Sequence, residues 1–276
     1  MRCRDFPCSI KVMVILETQT NRRAVQTLPF CYLCGGNFVP LDETDRDHLP
    51  PKTIFHTDHR DPLILPTHKA CNNAHNLTDE MMGQLLAPQS GRIPSDPKDV
   101  RLKLKKVGGS PAIDAGDLNI KEAIWRWISG FHAALYREPA VRIGIDTFGT
   151  LETPFPIGSI VDGKIVMEDI KPQHSKFVEA IKGNRENGNL DKIICNRDKF
   201  TYECFWVKSD NDEAWMCIFA LNIYDWKDLG PQSADTARGC AGLYVLPSGG
   251  IPANATREIR DATPVVNNDP LDPFAA

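Results

Sequence analysis

The residues with the clearest chemical role in this sequence are four cysteine and histidine side chains. Cys31 and Cys34 have Cys-x-x-Cys spacing, and His68 and Cys71 repeat this spacing as His-x-x-Cys. Thiolate and imidazole are preferred ligands of zinc, and two such pairs separated by a loop can close on one tetrahedral ion. The spacing therefore predicts a structural zinc site, because four protein ligands leave no open position for a substrate.

A second set of residues, with different metal preferences, lies between and after the two pairs. Asp47-His48 precedes Leu-Pro-Pro-Lys, in which Lys52 is a candidate phosphate contact, and Asn72 directly follows Cys71. Carboxylate and amide oxygens suit Mg²⁺ or Mn²⁺, and a neutral imidazole can activate water. A zinc site alone does not require these residues, so we expect a separate catalytic site with its own divalent ion.

Together these pieces resemble the HNH, or ββα-metal, nuclease family. The matching pieces extend over roughly a sixth of the chain and are Cys31-x-x-Cys34, Asp47-His48-x-x-Pro51 and His68-x-x-Cys71-Asn72. The resemblance implies two strands and a helix around a divalent ion, in a module that reads few bases by itself. It also implies Asp47 and Asn72 as ligands of that ion, His48 as the general base and His75 as a further helix residue of the site.

Two positions depart from the family pattern. His68 replaces a cysteine in the second zinc pair, which is a mild change because sites with three thiolates and one imidazole are common. The family's middle asparagine has no clear counterpart; Asp61 is the nearest candidate, and its role stays open.

A second Asp-His pair, Asp58-His59, competes with Asp47-His48 for the catalytic role. We prefer Asp47-His48 because Pro51 follows it and because it leaves room for a second strand before the second zinc pair. The loop that holds Asp58-His59 is then either solvated or contacts the substrate through His56 or His59.

The composition of the whole chain limits the class of protein and the partners that we expect. The 276 residues are 42% hydrophobic and 25% charged, as in soluble globular proteins, and the net charge of −4 argues against a generic nucleic-acid coat. No apolar run approaches the about 20 residues of a membrane helix, so we expect no membrane partner. Of nine cysteines, the six outside the zinc motif have no paired short spacing, which favours buried thiols in a reducing, cytoplasmic setting.

The sequence divides into five segments. We expect a lead-in at 1–28, the zinc-bound ββα module at 29–90, a linker at 91–118, an α+β domain at 119–250 and a tail at 251–276. The lead-in is either loosely ordered or adds one strand to a later sheet. The basic stretch 101–106 of the linker is either an edge strand protected by lysines or an arm that follows a phosphate backbone. The predicted fold class is α+β: the small module, then a larger mixed domain with a predominantly antiparallel sheet.

Local patterns predict the elements of both parts. In the module we expect a first strand that ends near His48, a second at 63–65 and a helix from Lys69 to about Leu86. Apolar residues at helical spacing predict a helix over 120–135, in which His132 is a packed histidine. The other predicted elements are a helix at 173–181 and strands at 11–16, 142–145, 157–161, 164–166, 200–207, 215–223 and 243–246. The predicted aromatic core consists of Trp127, Phe131, Phe205, Trp206, Trp215 and Phe219.

These residues favour a metal-dependent HNH endonuclease that hydrolyses phosphodiester bonds in DNA. Nucleases that resemble this type often belong to restriction, mobile-element or anti-phage defence systems, so the resemblance implies such a setting. Two alternatives stay open: a non-catalytic zinc module that docks nucleic acid or protein, and a nuclease that cuts RNA. The larger domain has no motif that assigns its role, and it is a candidate for binding DNA, sensing a ligand or holding a protein partner.

Overall fold

The computed structural model shows a mixed α+β protein, as the sequence predicts, with a mostly antiparallel six-stranded sheet and three two-stranded hairpins. It describes residues 13–55, 61–86, 103–107, 110–114, 116, 118–144, 147–152, 158–161, 164–167, 173–196, 199–209, 213–223 and 239–256. Within these residues, no helix combines the length and the apolar character needed to cross a membrane.

The N-terminal part contains two strands and a helical segment in the predicted order. Strands β2 (Thr44–Leu49) and β3 (Leu63–His68) pair antiparallel. Helix α3 (Lys69–Asn73) follows β3 directly, and α4 (Asn76–Leu86) follows α3. The helix predicted over 69–86 is therefore interrupted, because the backbone N–H of His75 bonds to the carbonyl of Asn72, only three residues back, at 3.0 Å.

The large sheet has the strand order β1-β9-β10-β11-β12-β6. Its strands are β1 (Ile15–Leu16), β6 (Gly149–Glu152), β9 (Asp191–Cys195), β10 (Phe200–Lys208), β11 (Trp215–Ile223) and β12 (Cys240–Val245). All neighbours are antiparallel except β1, which runs parallel to β9. The N-terminal segment therefore adds one strand to a sheet formed by the far end of the chain, one of the two arrangements that the sequence left open.

The described residues form further elements outside these two units. They are helices α1 (Gln19–Ala24), α2 (Lys52–Phe55), α5 (Ile120–Tyr136) and α6 (Gln173–Glu186), a 3₁₀ turn at Val25–Thr27, and the antiparallel hairpins β4 (Lys103–Val107) with β5 (Ser110–Asp114) and β7 (Gly158–Val161) with β8 (Lys164–Met167). The structure thus contains a strand within the basic stretch of the linker; contact of that stretch with a phosphate backbone stays a prediction.

Helices cover both faces of the large sheet. Helix α5 packs on one face, where the Phe131 ring centroid lies 5.1 Å from that of Phe200 and 4.9 Å from that of Tyr202. Helix α6 packs on the other face, where Ile181 and Phe205 belong to one apolar cluster. Successive strand residues point to opposite faces, so β10 contributes to both cores and is buried over most of its length.

Helix α5 also packs against the ββα unit. A Cβ atom built on Gly130 would lie 2.3 Å from Leu49 Cδ1 and 3.0 Å from the Tyr32 ring, so the helix backbone touches both residues. Leu49 belongs to the same hydrophobic cluster as Trp127 and the sheet residue Phe219. The ββα unit and the larger sheet therefore share one core through α5; the domain boundary near residue 119 stays a prediction.

The structure corrects some predicted elements. The strand predicted at 142–145 is wrong in its described part, where Arg142 and Gly144 have φ angles of 56° and 74° within a turn. Left-handed backbone cannot continue a strand, which needs strongly negative φ. Strands β6 and β9 were not predicted from the sequence. The aromatic core is confirmed, except that Trp215 is only partly buried, and His132 is fully buried as predicted.

Candidate metal centre and catalytic residues

The four predicted zinc ligands converge. The ligand atoms of Cys31, Cys34, His68 and Cys71 all lie within 4.8 Å of one another. His68 Nδ1 lies 3.3 Å from Cys34 Sγ. Tetrahedral zinc, with bonds of about 2.0 Å to nitrogen and 2.3 Å to sulfur, places its ligand atoms roughly 3.3–3.8 Å apart. The cluster is therefore compatible with one structural zinc ion.

Two local structures bring these ligands together. In the first, the Gly35 N–H donates to the Cys31 carbonyl at 2.7 Å, and the Cys31 N–H donates to Gly36 at 2.9 Å. Gly35 has a φ of 75°, which a side chain would make unfavourable, so a glycine closes this turn. In the second, β3 ends at His68 and the first turn of α3 places Cys71 on the same side.

His68 has a second partner that the sequence did not identify. Its Nε2 lies 3.2 Å from Asp42 Oδ2, and that oxygen also accepts a 2.7 Å bond from the Val39 N–H. Metal-binding histidines commonly use their other nitrogen in this way, which fixes the ring and its tautomer. Asp42 therefore orients His68 so that Nδ1 faces the cluster. No motif could have indicated Asp42, because it lies in a polar loop 26 residues before its partner.

Crowding of the thiols favours a cation at the cluster. Burial, and then the neighbouring thiols Cys31 and Cys34, raise the pKa of Cys71 to about 12. The hydrogen bond with Cys34 and the Asp42 carboxylate raise the pKa of His68. A divalent cation offsets repulsion among thiolates and stabilises their ionised form. A zinc ion at the cluster would thus oppose the effects that raise the pKa of Cys71 and would stabilise its thiolate.

Strand β2 places two carboxylates on one side, because Asp45 and Asp47 are two residues apart. Asn72 Nδ2 of α3 donates to Asp45 Oδ2 at 2.9 Å. Asp47 is 5% exposed, and its Oδ2 accepts a hydrogen bond from the Tyr32 hydroxyl. The structure thus brings Asn72 to Asp45 rather than to Asp47. The sequence analysis did not identify Asp45 as a site residue. The alternation of side chains along a strand could have indicated it, because Asp45 lies two residues before Asp47.

An arginine of helix α5 acts electrostatically on two carboxylates of the ββα unit. Arg126 of α5 forms an ion pair with Asp79 of α4. Burial raises the pKa of Asp47, whereas the charge of Arg126 and the Tyr32 hydroxyl lower it. Burial also raises the pKa of Asp79, to about 6, despite the ion pair. The charge state of Asp47 therefore depends on Tyr32 and on Arg126 of helix α5.

His48 lies on the opposite side of β2 from Asp47 and is half-buried. Burial lowers its pKa below the usual 6.5, and the charge of Lys52 lowers it further, while Asp45 acts in the opposite direction. The imidazole is therefore neutral at pH 7 and able to accept a proton. Lys52 itself is exposed at the start of α2.

The remaining residues that the sequence analysis considered for the site are His75, Asp61, Asp58 and His59. His75, between α3 and α4, faces a cavity, and burial followed by the charge of Arg126 lowers its pKa to about 4. Asp61, the candidate for the family's middle asparagine, has a φ of 54° and lies 3.6 Å from Arg22. Asp58 and His59 lie outside the described residues, so the preference for the first Asp-His pair stays a prediction.

Comparison with known proteins assigns neither a family nor a function. No family model matches the chain, and no curated protein or solved structure matches it. The function is therefore inferred from the residues and their geometry alone.

Proposed function

We propose that the protein is a metal-dependent endonuclease of the HNH type that hydrolyses phosphodiester bonds in DNA. The observation that carries this proposal is the 2.9 Å hydrogen bond between Asn72 Nδ2 and Asp45 Oδ2. It joins a helix amide to a strand carboxylate. Asp47 lies two residues along on the same side of β2, and His48 follows Asp47 on the opposite side of the strand. One hairpin and one helix thus carry the carboxylate, amide and imidazole groups that the proposal requires.

We infer that Asp45, Asp47 and Asn72 would hold a hard divalent cation. Asp45 and Asp47 offer carboxylate oxygens, and Asn72 offers its amide oxygen if the amide turns over. A bound Mg²⁺ or Mn²⁺ would neutralise charge on the scissile phosphate and stabilise the leaving oxygen. A zinc ion in the cysteine cluster cannot bind the scissile phosphate, because four protein ligands would fill its coordination sphere.

His48 acts as the general base in this proposal. Its lowered pKa keeps the imidazole neutral, and a neutral imidazole can take a proton from water as the water attacks phosphorus. Lys52 contributes positive charge beside the imidazole, where it can also bind a phosphate oxygen. In-line attack by water leaves a 5′-phosphate and a 3′-hydroxyl.

The decisive experiment removes the base and the metal ligands separately. We expect His48→Ala to lower the cleavage rate by about 100- to 10,000-fold with unchanged zinc content and DNA affinity, because a general base acts only in the transition state. Asn72→Ala and Asp47→Ala should also lower the rate, and high Mn²⁺ should partly restore it only in these two variants. His59→Ala is the control and should stay active. An inactive His59→Ala beside an active His48→Ala would show that the other Asp-His pair is catalytic.

The same assay decides among the alternatives. Supercoiled plasmid, linear duplex and RNA are incubated with the wild-type protein, with and without Mg²⁺ or Mn²⁺. Cleavage of RNA alone would favour the RNA nuclease. No cleavage with any metal would favour the docking module, for which the exposed side chains of Val39 and Leu41 beside Asp42 offer an apolar contact surface.

A further inference from the structure

The hairpin of β2 and β3 carries its acidic and basic residues on opposite sides. Along β2, Asp45 and Asp47 lie on one side and Arg46 and His48 on the other, because successive side chains of a strand alternate. Directly opposite residues of an antiparallel pair share a side, and the residues opposite Arg46 and His48 on β3 are uncharged. Within residues 44–49 and 63–68, the side that holds Arg46 therefore contains no carboxylate.

Arg46 is exposed, and within the described part of the chain its guanidinium makes no hydrogen bond or ion pair. Other arginines of the structure are occupied: Arg22 donates to the Ile194 carbonyl at 2.9 Å, and Arg126 and Arg185 form ion pairs with carboxylates. The N–H groups of Arg46 are thus accessible to the oxygen atoms of a ligand that approaches from solvent.

A second cation lies near the same imidazole. Lys52 is exposed, and its charge lowers the pKa of His48, so the two side chains are close enough to interact. His48 follows Arg46 at a distance of about 7 Å along the strand. The Asp42 carboxylate, toward the zinc end of the hairpin, is already bonded to His68. Two exposed positive charges therefore lie near the residue proposed as the general base.

We propose that Arg46 binds a phosphate of the DNA backbone on the side of the hairpin that carries His48. A guanidinium donates to phosphate oxygens in a fixed planar arrangement, and such contacts position a protein on a duplex without reading its sequence. Because the net charge of the chain is −4, attraction to DNA requires a local basic surface. This inference rests on the proposed function for the assignment of DNA as the ligand.

Binding of a short DNA duplex by the intact, zinc-loaded protein without Mg²⁺ or Mn²⁺ tests the proposal separately from cleavage. Fluorescence anisotropy gives the affinity at several NaCl concentrations. We expect Arg46→Gln to weaken binding severalfold near about 0.1 M NaCl and to reduce the slope of log K against log[NaCl] by about 0.9, because one phosphate contact fewer releases fewer counterions. A loss of folded protein would lower the affinity without this change in slope.

Lys182→Gln is the matched control. It removes one positive charge from α6, on the face of the large sheet opposite α5, and should leave affinity and slope unchanged. Arg46→Lys keeps the charge without the planar fork, so it should retain the slope and lose part of the affinity. In Arg46→Gln, two duplexes of unrelated sequence should lose the same factor, since phosphate contacts carry no sequence information.

Three results would overturn the proposal. They are equal affinity and slope in Arg46→Gln and the wild type, a loss confined to one duplex sequence, and absence of duplex binding by the wild type at low salt.

Cleavage assays separate this proposal from the endonuclease. If the wild type cuts DNA, Arg46→Gln should lower kcat/KM mainly through a higher KM, because a binding contact acts in the ground state and the transition state alike. Arg46-dependent binding by a protein that cuts no substrate would keep the phosphate contact and remove the endonuclease. Cleavage by an Arg46→Gln variant that binds DNA as the wild type does would keep the endonuclease and remove the phosphate contact.

Discussion

Asp42 is expected to set the zinc affinity through His68. Asp42→Asn removes the charge that faces His68 Nε2 at 3.2 Å and should weaken zinc binding about 10- to 100-fold, as for other carboxylates that orient metal-binding histidines. Competition with a chromophoric chelator measures the change. Glu43→Gln is the control, since Glu43 is exposed and its ion pair within the described part of the chain is with Lys69. Equal affinities in the two variants would exclude this role for Asp42.

The pH dependence of cleavage should report on His48. A protonated imidazole cannot accept a proton, so the rate should fall as the pH falls through the pKa of His48, which lies below the usual 6.5. Lys52→Gln removes a positive neighbour that lowers this pKa. The acidic limb of the kcat/KM profile should therefore move to higher pH in Lys52→Gln and stay in place in the control Lys176→Gln, whose side chain is exposed on α6. A limb that does not move would show that another group titrates.

Single residues differ in how far the sequence reveals them. The zinc ligands are predictable because each pair has local spacing that a turn can close. Asp42, Arg126 and the Tyr32–Asp47 hydrogen bond are not predictable, since each depends on which distant segments the fold brings together. Asp45 is intermediate: strand alternation indicates its side, but only the contact with Asn72 identifies its partner.

Elements were predictable where one pattern continues for several turns or residues. Helix α5 and strands β10 and β11 carry long apolar patterns, and the structure confirms them. β9 is short and begins with the charged residues Asp191 and Lys192, so its sequence does not indicate a strand. It forms a strand because β1 and β10 pair with it on either side. The turn at 141–144 contains two apolar residues, Val141 and Ile143, and no pattern in so short a segment separates it from a strand.

Two helical glycines should respond to alanine with opposite signs. Gly130→Ala should lower stability by about 1–3 kcal/mol, since the new methyl group overlaps Leu49 and Tyr32 in a filled core. Gly183→Ala in α6 should raise stability by about 0.5–1 kcal/mol, because no atom lies within 4 Å of the new methyl and alanine favours helix. Urea unfolding measures both. A neutral or stabilising Gly130→Ala would show that α5 and β2 separate easily.

On the scale of the whole molecule, one buried carboxylate joins distant parts of the chain. Asp191 Oδ1 accepts bonds from the Val14 N–H at 2.9 Å and the Thr256 hydroxyl at 2.7 Å. Its Oδ2 accepts bonds from the Tyr136 hydroxyl at 2.9 Å and the Thr256 N–H at 2.8 Å. The start of the described chain, helix α5, β9 and the segment at 256 thus meet at one residue. No local sequence pattern could predict this junction, which holds the N-terminal strand against the large sheet.

The shared core predicts that zinc stabilises more than the small module. All five tryptophans lie at position 125 or later, so tryptophan fluorescence reports on the part of the chain that holds α5 and the large sheet. Zinc release should unfold the ββα unit, because the site and its fold form together in so small a unit. Leu49 and Tyr32 would then leave the surface of α5 that contains Gly130 and expose apolar core. Chelation should therefore lower the midpoint of tryptophan-detected thermal unfolding by at least about 5 °C.

Cys34→Ser tests the same coupling without a chelator. The variant loses one ligand of the cluster and should show the lowered midpoint even with zinc present. Cys240→Ser is unsuitable as a control because Cys240 is buried in the sheet, whereas Ser248→Ala changes an exposed loop and should leave the midpoint unchanged. If chelation and Cys34→Ser both release zinc without moving the tryptophan transition, the module and the sheet fold independently. That outcome would support a domain boundary near residue 119 and would mean that the contacts of Gly130 with Leu49 and Tyr32 contribute little to stability.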